Sequence, residues 1–96
     1  MRILILYHPE SEQARTVEEF AHDFQRRQAN SRAELLSIET REGAATAALY
    51  DIVQYPCVLA LREDGQLLNM WQGLPLPLMD EVAAYTDSEQ LPVTET

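Results

Sequence analysis

The sequence predicts an α/β domain in the order β-α-β-α-β-β-α, with a four-stranded mixed sheet and helices on both faces. Three observations lead there. Two short runs, Ile3 to Tyr7 and Cys57 to Leu61, are apolar without interruption, as strands covered on both faces are. Between them, from Ala14 to Phe24, apolar residues recur at helical spacing. After the second run comes Asp64-Gly65, a pair suited to the tight turns that match strand twist. The first half then forms a right-handed parallel βαβ unit, and the second an antiparallel hairpin closed by a helix.

Each element has its own local reason. The first strand stops at His8-Pro9, where proline removes a ladder donor. In the first helix Val17, Phe20, Ala21 and Phe24 repeat at i, i+3, i+4 and i+7, with Ala14 one turn earlier. Glu18, Glu19, His22, Asp23, Arg26 and Arg27 take the other face. Ser11 is expected to cap its start, and Thr16 with Glu19 offers a second capping box. Asn30-Ser31 ends the helix. Leu35-Leu36-Ser37-Ile38 reads as strand two, and Thr40 caps a short alanine-rich helix from Ala44 to Tyr50.

Gln66 to Gln72 is the return strand of the hairpin, an edge on which Trp71 sits. Gly73 breaks the chain, and Pro75 and Pro77 pre-set the last helix. There Leu78, Met79, Val82 and Tyr85 share an apolar face, while Asp80 and Glu81 occupy the first turn, where the helix dipole favours negative charge. Helices one and three are expected on one face of the sheet and helix two on the other. The domain is placed at residues 1–86, and the polar segment 87–96 is expected to be a frayed tail.

Composition narrows the function classes. The chain has 96 residues, 46% hydrophobic and 24% charged, enough for one folded domain. The single Cys57 excludes an intramolecular disulfide and a cysteine-based zinc site. His22 has no partner at ligand spacing, so no metal site is expected, and no cofactor is implied. A formal charge of −9 argues against nucleic acid or an anionic membrane as a partner. Ile3 to Tyr7 is too short for a signal-peptide core or a membrane span, and a cytoplasmic location is the expectation. The charge is uneven: all seven bases are arginines ending at Arg62, and residues 63–96 hold seven acids and no base.

Across residues 1–86 this order of elements, with three local matches, resembles the thioredoxin/glutaredoxin superfamily. Tyr7-His8-Pro9-Glu10-Ser11-Glu12-Gln13-Ala14 sits where glutaredoxins carry Tyr, Lys-Pro-x and then Cys-x-x-Cys opening the first helix. Gln54-Tyr55-Pro56 sits where the superfamily has its cis-proline loop, and Asp64-Gly65 and Gly73 fall at its last turns. The resemblance implies that the backbone of Tyr55 pairs with an extended peptide or thiol ligand, a form of β-augmentation.

The departures bear on activity. The two redox positions read Ser11 and Ala14. Dithiol exchange needs a thiolate nucleophile and a second thiol to resolve the mixed disulfide; a serine without an adjacent base and an alanine supply neither. The acid that thioredoxins bury in strand one is absent from Ile3 to Leu6. His8 stands in for the glutaredoxin lysine that pairs with a glutathione carboxylate. The Thr-Val-Pro loop and Gly-Gly-x-Asp turn read Gln54-Tyr55-Pro56 and Gly73-Leu74-Pro75-Leu76. The charged handles for glutathione are therefore missing.

Three readings of function follow. The first is a redox-inactive binding or assembly module that recognises a protein or peptide partner. Its surface is Tyr7, His8, Pro9, Glu10, Ser11, Tyr55 and Pro56, with Trp71 nearby, since Tyr and Trp supply much interface energy. The alternative is a monothiol oxidoreductase or glutathione-binding protein using Cys57. Strand alternation is expected to turn Cys57 to the side opposite Tyr55, into a helix-covered layer where it behaves as a small hydrophobe. The third is a regulatory protein that meets a basic partner through its acidic C-terminal third.

Overall fold

Four consecutive apolar residues make β1 (Arg2–Tyr7) a strand that must be covered on both faces, and Ile3 to Leu6 are all buried. The computed structural model describes residues 2–29 and 31–90. After β1 come α1 (Ala14–Arg27), β2 (Arg32–Ser37), α2 (Arg41–Leu49), β3 (Cys57–Leu61), β4 (Leu67–Gln72) and α3 (Met79–Gln90). The sheet order is β2-β1-β3-β4, with β1 parallel to β2 and antiparallel to β3, and β4 returning antiparallel beside β3. The two uninterrupted apolar runs are thus the two central strands.

Alternation along those strands divides the core into two layers. Ile3 and Ile5 of β1 with Val58 and Ala60 of β3 face Val17, Phe20, Ala21 and Phe24 of α1 and Val82 of α3. Leu4, Leu6, Cys57, Leu59 and Leu61 point the other way, with Ile52, Ala47 of α2 and its C-cap residue Tyr50 against them. Helices one and three therefore cover one face and helix two the other, as the sequence predicts. All five apolar positions anticipated on α1 are buried.

Several local expectations change. Ser11 does not cap α1. The helix begins only at Ala14, Gln13 is its N-cap residue without a side-chain bond, and the Ser11 hydroxyl donates to the His8 carbonyl at 2.8 Å. Thr16 and Glu19 lie inside the helix. Thr40 caps α2 as expected, accepting from the Gly43 N–H at 3.0 Å. Strand β2 starts three residues before Leu35, because Arg32 to Glu34 pair with Arg2 to Leu4 along the central strand. Gln25 of α1 stitches that start in place, donating to the Ser31 carbonyl and accepting from the Ala33 N–H. Leu78 is 71% exposed and does not join Met79, Val82 and Tyr85 on the packed side of α3. Glu81 instead uses its carboxylate to accept from the Leu78 N–H at 2.9 Å, which caps the helix. The last helix runs to Gln90, past the end placed at Thr86. Of the tail expected over 87–96, residues 91–96 lie outside the described residues.

Candidate functional site

The topology gathers the candidate rim. Leu6 pairs with Cys57, so the last residue of β1 and the loop before β3 meet at the same end of the sheet. The turn from His8 to Gln13 then brings α1 back over that end, held by Ser11 N–H and Oγ on the His8 carbonyl and by Ala14 N–H on the Ser11 carbonyl. The result is a narrow cleft lined by Tyr7, His8, Ser11, Gln13, Val17, Tyr55 and Pro56. Its volume is about 20 Å³, room for about one water and far too little for a small-molecule cofactor. The cleft is too small to enclose such a ligand.

Five of the eight binding residues read from the sequence line this cleft: Tyr7, His8, Ser11, Tyr55 and Pro56. Pro9 and Glu10 lie in the turn outside it, with Glu10 exposed. Trp71 is elsewhere. It pairs with Val58 on the edge strand, packs against the α1/α3 layer, and meets Tyr85 of α3 edge-to-face at 5.8 Å. The expectation of one aromatic groove therefore divides into two surfaces.

Within the cleft His8 and Tyr55 form an edge-to-face pair, centroids 5.2 Å apart and planes at 78°. The Tyr7 hydroxyl donates to Glu18 at 3.5 Å. Partial burial, and then the Glu18 charge and hydrogen bond, push the Tyr7 phenol above its ordinary pKa. The Tyr55–Pro56 peptide is cis, as is Leu74–Pro75. The loop around Tyr55 is fixed from behind. Gln72 Oε1 accepts from the N–H groups of Val53 (3.0 Å) and Gln54 (3.2 Å), and the Pro56 carbonyl accepts from the Gly73 N–H at 2.8 Å. Gly73 has φ +79, a left-handed conformation that favours glycine, and a Cβ there would press on the Gln54 side chain. The Tyr55 hydroxyl donates back to the Ile52 carbonyl at 3.3 Å. Among the described residues, neither the backbone N–H nor the C=O of Tyr55 finds a hydrogen-bond partner.

Gln13 and Val17 line the cleft, Glu18 contacts Tyr7 and Gln72 holds the loop, and none of the four stands out as a site candidate in the sequence. Glu18 looks like any solvated helix residue, and Gln72 is distant in sequence from the loop it holds. Gln72→Ala is predicted to leave the Val53 and Gln54 N–H groups without their acceptor. Their amide exchange should quicken about fivefold to tenfold while the core amides of β1 are unchanged; hydrogen-exchange NMR reads both.

Cys57 is not at the rim. Its side chain is fully buried in the α2-side layer, and burial pushes its thiol up to about 12. Contrary to expectation, Tyr55 packs against that same layer. The two residues are two apart, the spacing at which extended chain returns side chains to one face. His22 is exposed on α1, and the described residues hold no cluster of three or more His, Cys, Asp or Glu that suits a metal ion. No described helix is long and apolar enough to cross a membrane.

No family model and no curated protein matches the chain. Solved structures do. Thioredoxin 1 from Thermosipho africanus superimposes with a TM-score of 0.68 at 11% identity, covering 92% of each chain. Thioredoxin O2 from Arabidopsis thaliana in the oxidized state gives 0.69 at 6% identity, covering 91% of this chain and 72% of that one. The fold is thioredoxin-like. A malarial protein shares it, with a TM-score of 0.72 at 9% identity and coverage of 94% and 97%. At such identities the likeness speaks for the backbone arrangement alone. On that thioredoxin-like frame, Ser11 stands in the turn before α1 and Ala14 is the first helical residue.

Proposed function

We propose that this thioredoxin-fold protein is a redox-inactive recognition module that takes an extended segment of a protein partner across the Tyr7–Ser11 and Tyr55–Pro56 cleft. The observation that carries this reading is the unpartnered backbone of Tyr55 on a loop that is otherwise hydrogen-bonded into place. Tyr55 is half-buried, and its N–H and C=O, not taken up within the chain, are open to a main-chain partner. An extended peptide supplies an acceptor and a donor together, which is strand addition in its smallest form. The His8–Tyr55 ring pair beside it offers aromatic area for one side chain of that peptide.

Monothiol chemistry finds no support in the geometry. The single thiol is buried and its pKa raised, whereas exchange needs an accessible thiolate. Serine and alanine near the start of α1 offer neither nucleophile nor resolving group. Selection of extended peptides from a displayed library tests the recognition reading. Peptides that enrich on the native chain should lose about tenfold or more in affinity on Tyr55→Ala and several-fold on His8→Ala. Enriched peptides that bind Tyr55→Ala undiminished would refute it.

A further inference from the structure

A second surface lies away from the cleft, where the edge strand β4 meets α3. Asn69, Trp71, Glu81, Ala84 and Tyr85 line an open groove of about 400 Å³. Trp71 and Tyr85 stand at 76° to one another, so their rings make two walls of a corner rather than a stack. Asn69 fixes the corner by donating to the Tyr85 hydroxyl at 2.9 Å, while its Oδ1 accepts from the Met70 N–H at 2.7 Å. That stretch of the edge carries its own acceptor, so side chains rather than strand pairing define what the groove takes. Among the described residues, Glu81 is the only charged one lining it.

We propose that this corner binds an arginine side chain presented by a basic segment of a partner protein. A guanidinium stacks on aromatic faces and pairs with a carboxylate, and Trp is the best of the ring partners. The surroundings complement it: Asp80 adjoins Glu81 in the first turn of α3, and neither β4 nor α3 carries a base. An open groove on α1 is different in kind. Arg15 and Glu19, and Arg26 and Asp23, pair with each other there, so most of its charge is already matched. The corner shares no residue with the Tyr55 cleft, so each site stands or falls alone.

Trp71 is the only tryptophan in the chain, so its emission reports on this corner directly. The probe is the blocked pentapeptide Val-Arg-Val-Arg-Val, compared with its neutral counterpart in which citrulline replaces arginine. The arginine peptide should change Trp71 emission saturably and bind about tenfold more tightly than the citrulline peptide. Glu81→Gln keeps an acceptor for the Leu78 N–H and removes the charge; it should weaken the arginine peptide about threefold to fivefold. Tyr55→Ala should leave the titration unchanged. The assignment is overturned by equal titration of the two peptides, by no saturable change, or by unchanged affinity in Glu81→Gln. A loss in Glu42→Gln, on the opposite face, equal to that in Glu81→Gln would also overturn it, because net charge would then explain the binding.

Discussion

Native Cys57 is expected to react with a water-soluble disulfide reagent at pH 8 about a hundredfold more slowly than the same thiol in the unfolded chain. Burial pushes its pKa from an ordinary 9.0 up to about 12, which lowers the thiolate fraction by about three orders of magnitude. A more basic thiolate is intrinsically more nucleophilic and returns part of that loss, while full burial of the side chain removes access. The same shift sets an alkaline dependence of stability. A thiol whose folded pKa lies above its unfolded value stabilises fully below the unfolded value. That contribution is lost as pH rises through the window from about 9 toward 12. For this one group the slope is at most about 1.4 kcal/mol per pH unit. Tyr7, also raised, acts in the same direction. Cys57→Ala should flatten the fall in denaturation midpoint across that window, leaving the Tyr7 share. Rapid native modification at the unfolded rate would show the thiol to be open and would revive a monothiol enzyme.

Gly43→Ala is expected to be the most damaging single-atom change in the fold. A Cβ at Gly43 would lie 1.9 Å from the Ser37 carbonyl oxygen and 2.7 Å from its carbon, both backbone atoms at the end of β2. No rotamer relieves a backbone clash, so α2 must lift from the sheet. The Thr40 cap and the contacts of Ala47 and Tyr50 with the α2-side layer lie on the helix that moves. The expected cost is about 3 kcal/mol, at the upper end for overpacking. In a domain this small that lowers the melting midpoint by roughly 12–24 °C. Thermal denaturation by circular dichroism measures it. A shift under about 4 °C would mean that α2 slides without loss, and that the close approach of helix and strand is not needed.

The sheet core was legible because its cues are local. Ile3 and Ile5 face one layer and Leu4 and Leu6 the other for the same reason that the run reads as a central strand. The α1 stripe is similarly complete in its spacing. What the sequence concealed depends on register and on partners far along the chain. Arg32 to Glu34 are strand residues only because β1 offers them a ladder. Trp71 faces the α1/α3 layer because the hairpin sets it opposite Val58, a pairing that Asp64-Gly65 alone does not specify. The site was legible as far as the two segments that meet at one end of the sheet. Its support by Gln72 and its contact with Glu18 were not, since each joins elements that are separate in sequence.

Those two segments frame the open main-chain position at Tyr55 proposed to pair with an extended partner. Proton–nitrogen NMR of the native chain, titrated with a peptide from the library selection, tests that pairing most directly. Shifts are expected to concentrate at His8, Ser11, Gln54 and Tyr55, with the Tyr55 amide passing from rapid to slow hydrogen exchange as its N–H gains an acceptor. A peptide that binds while the Tyr55 amide exchanges as fast as in the free protein would contradict it.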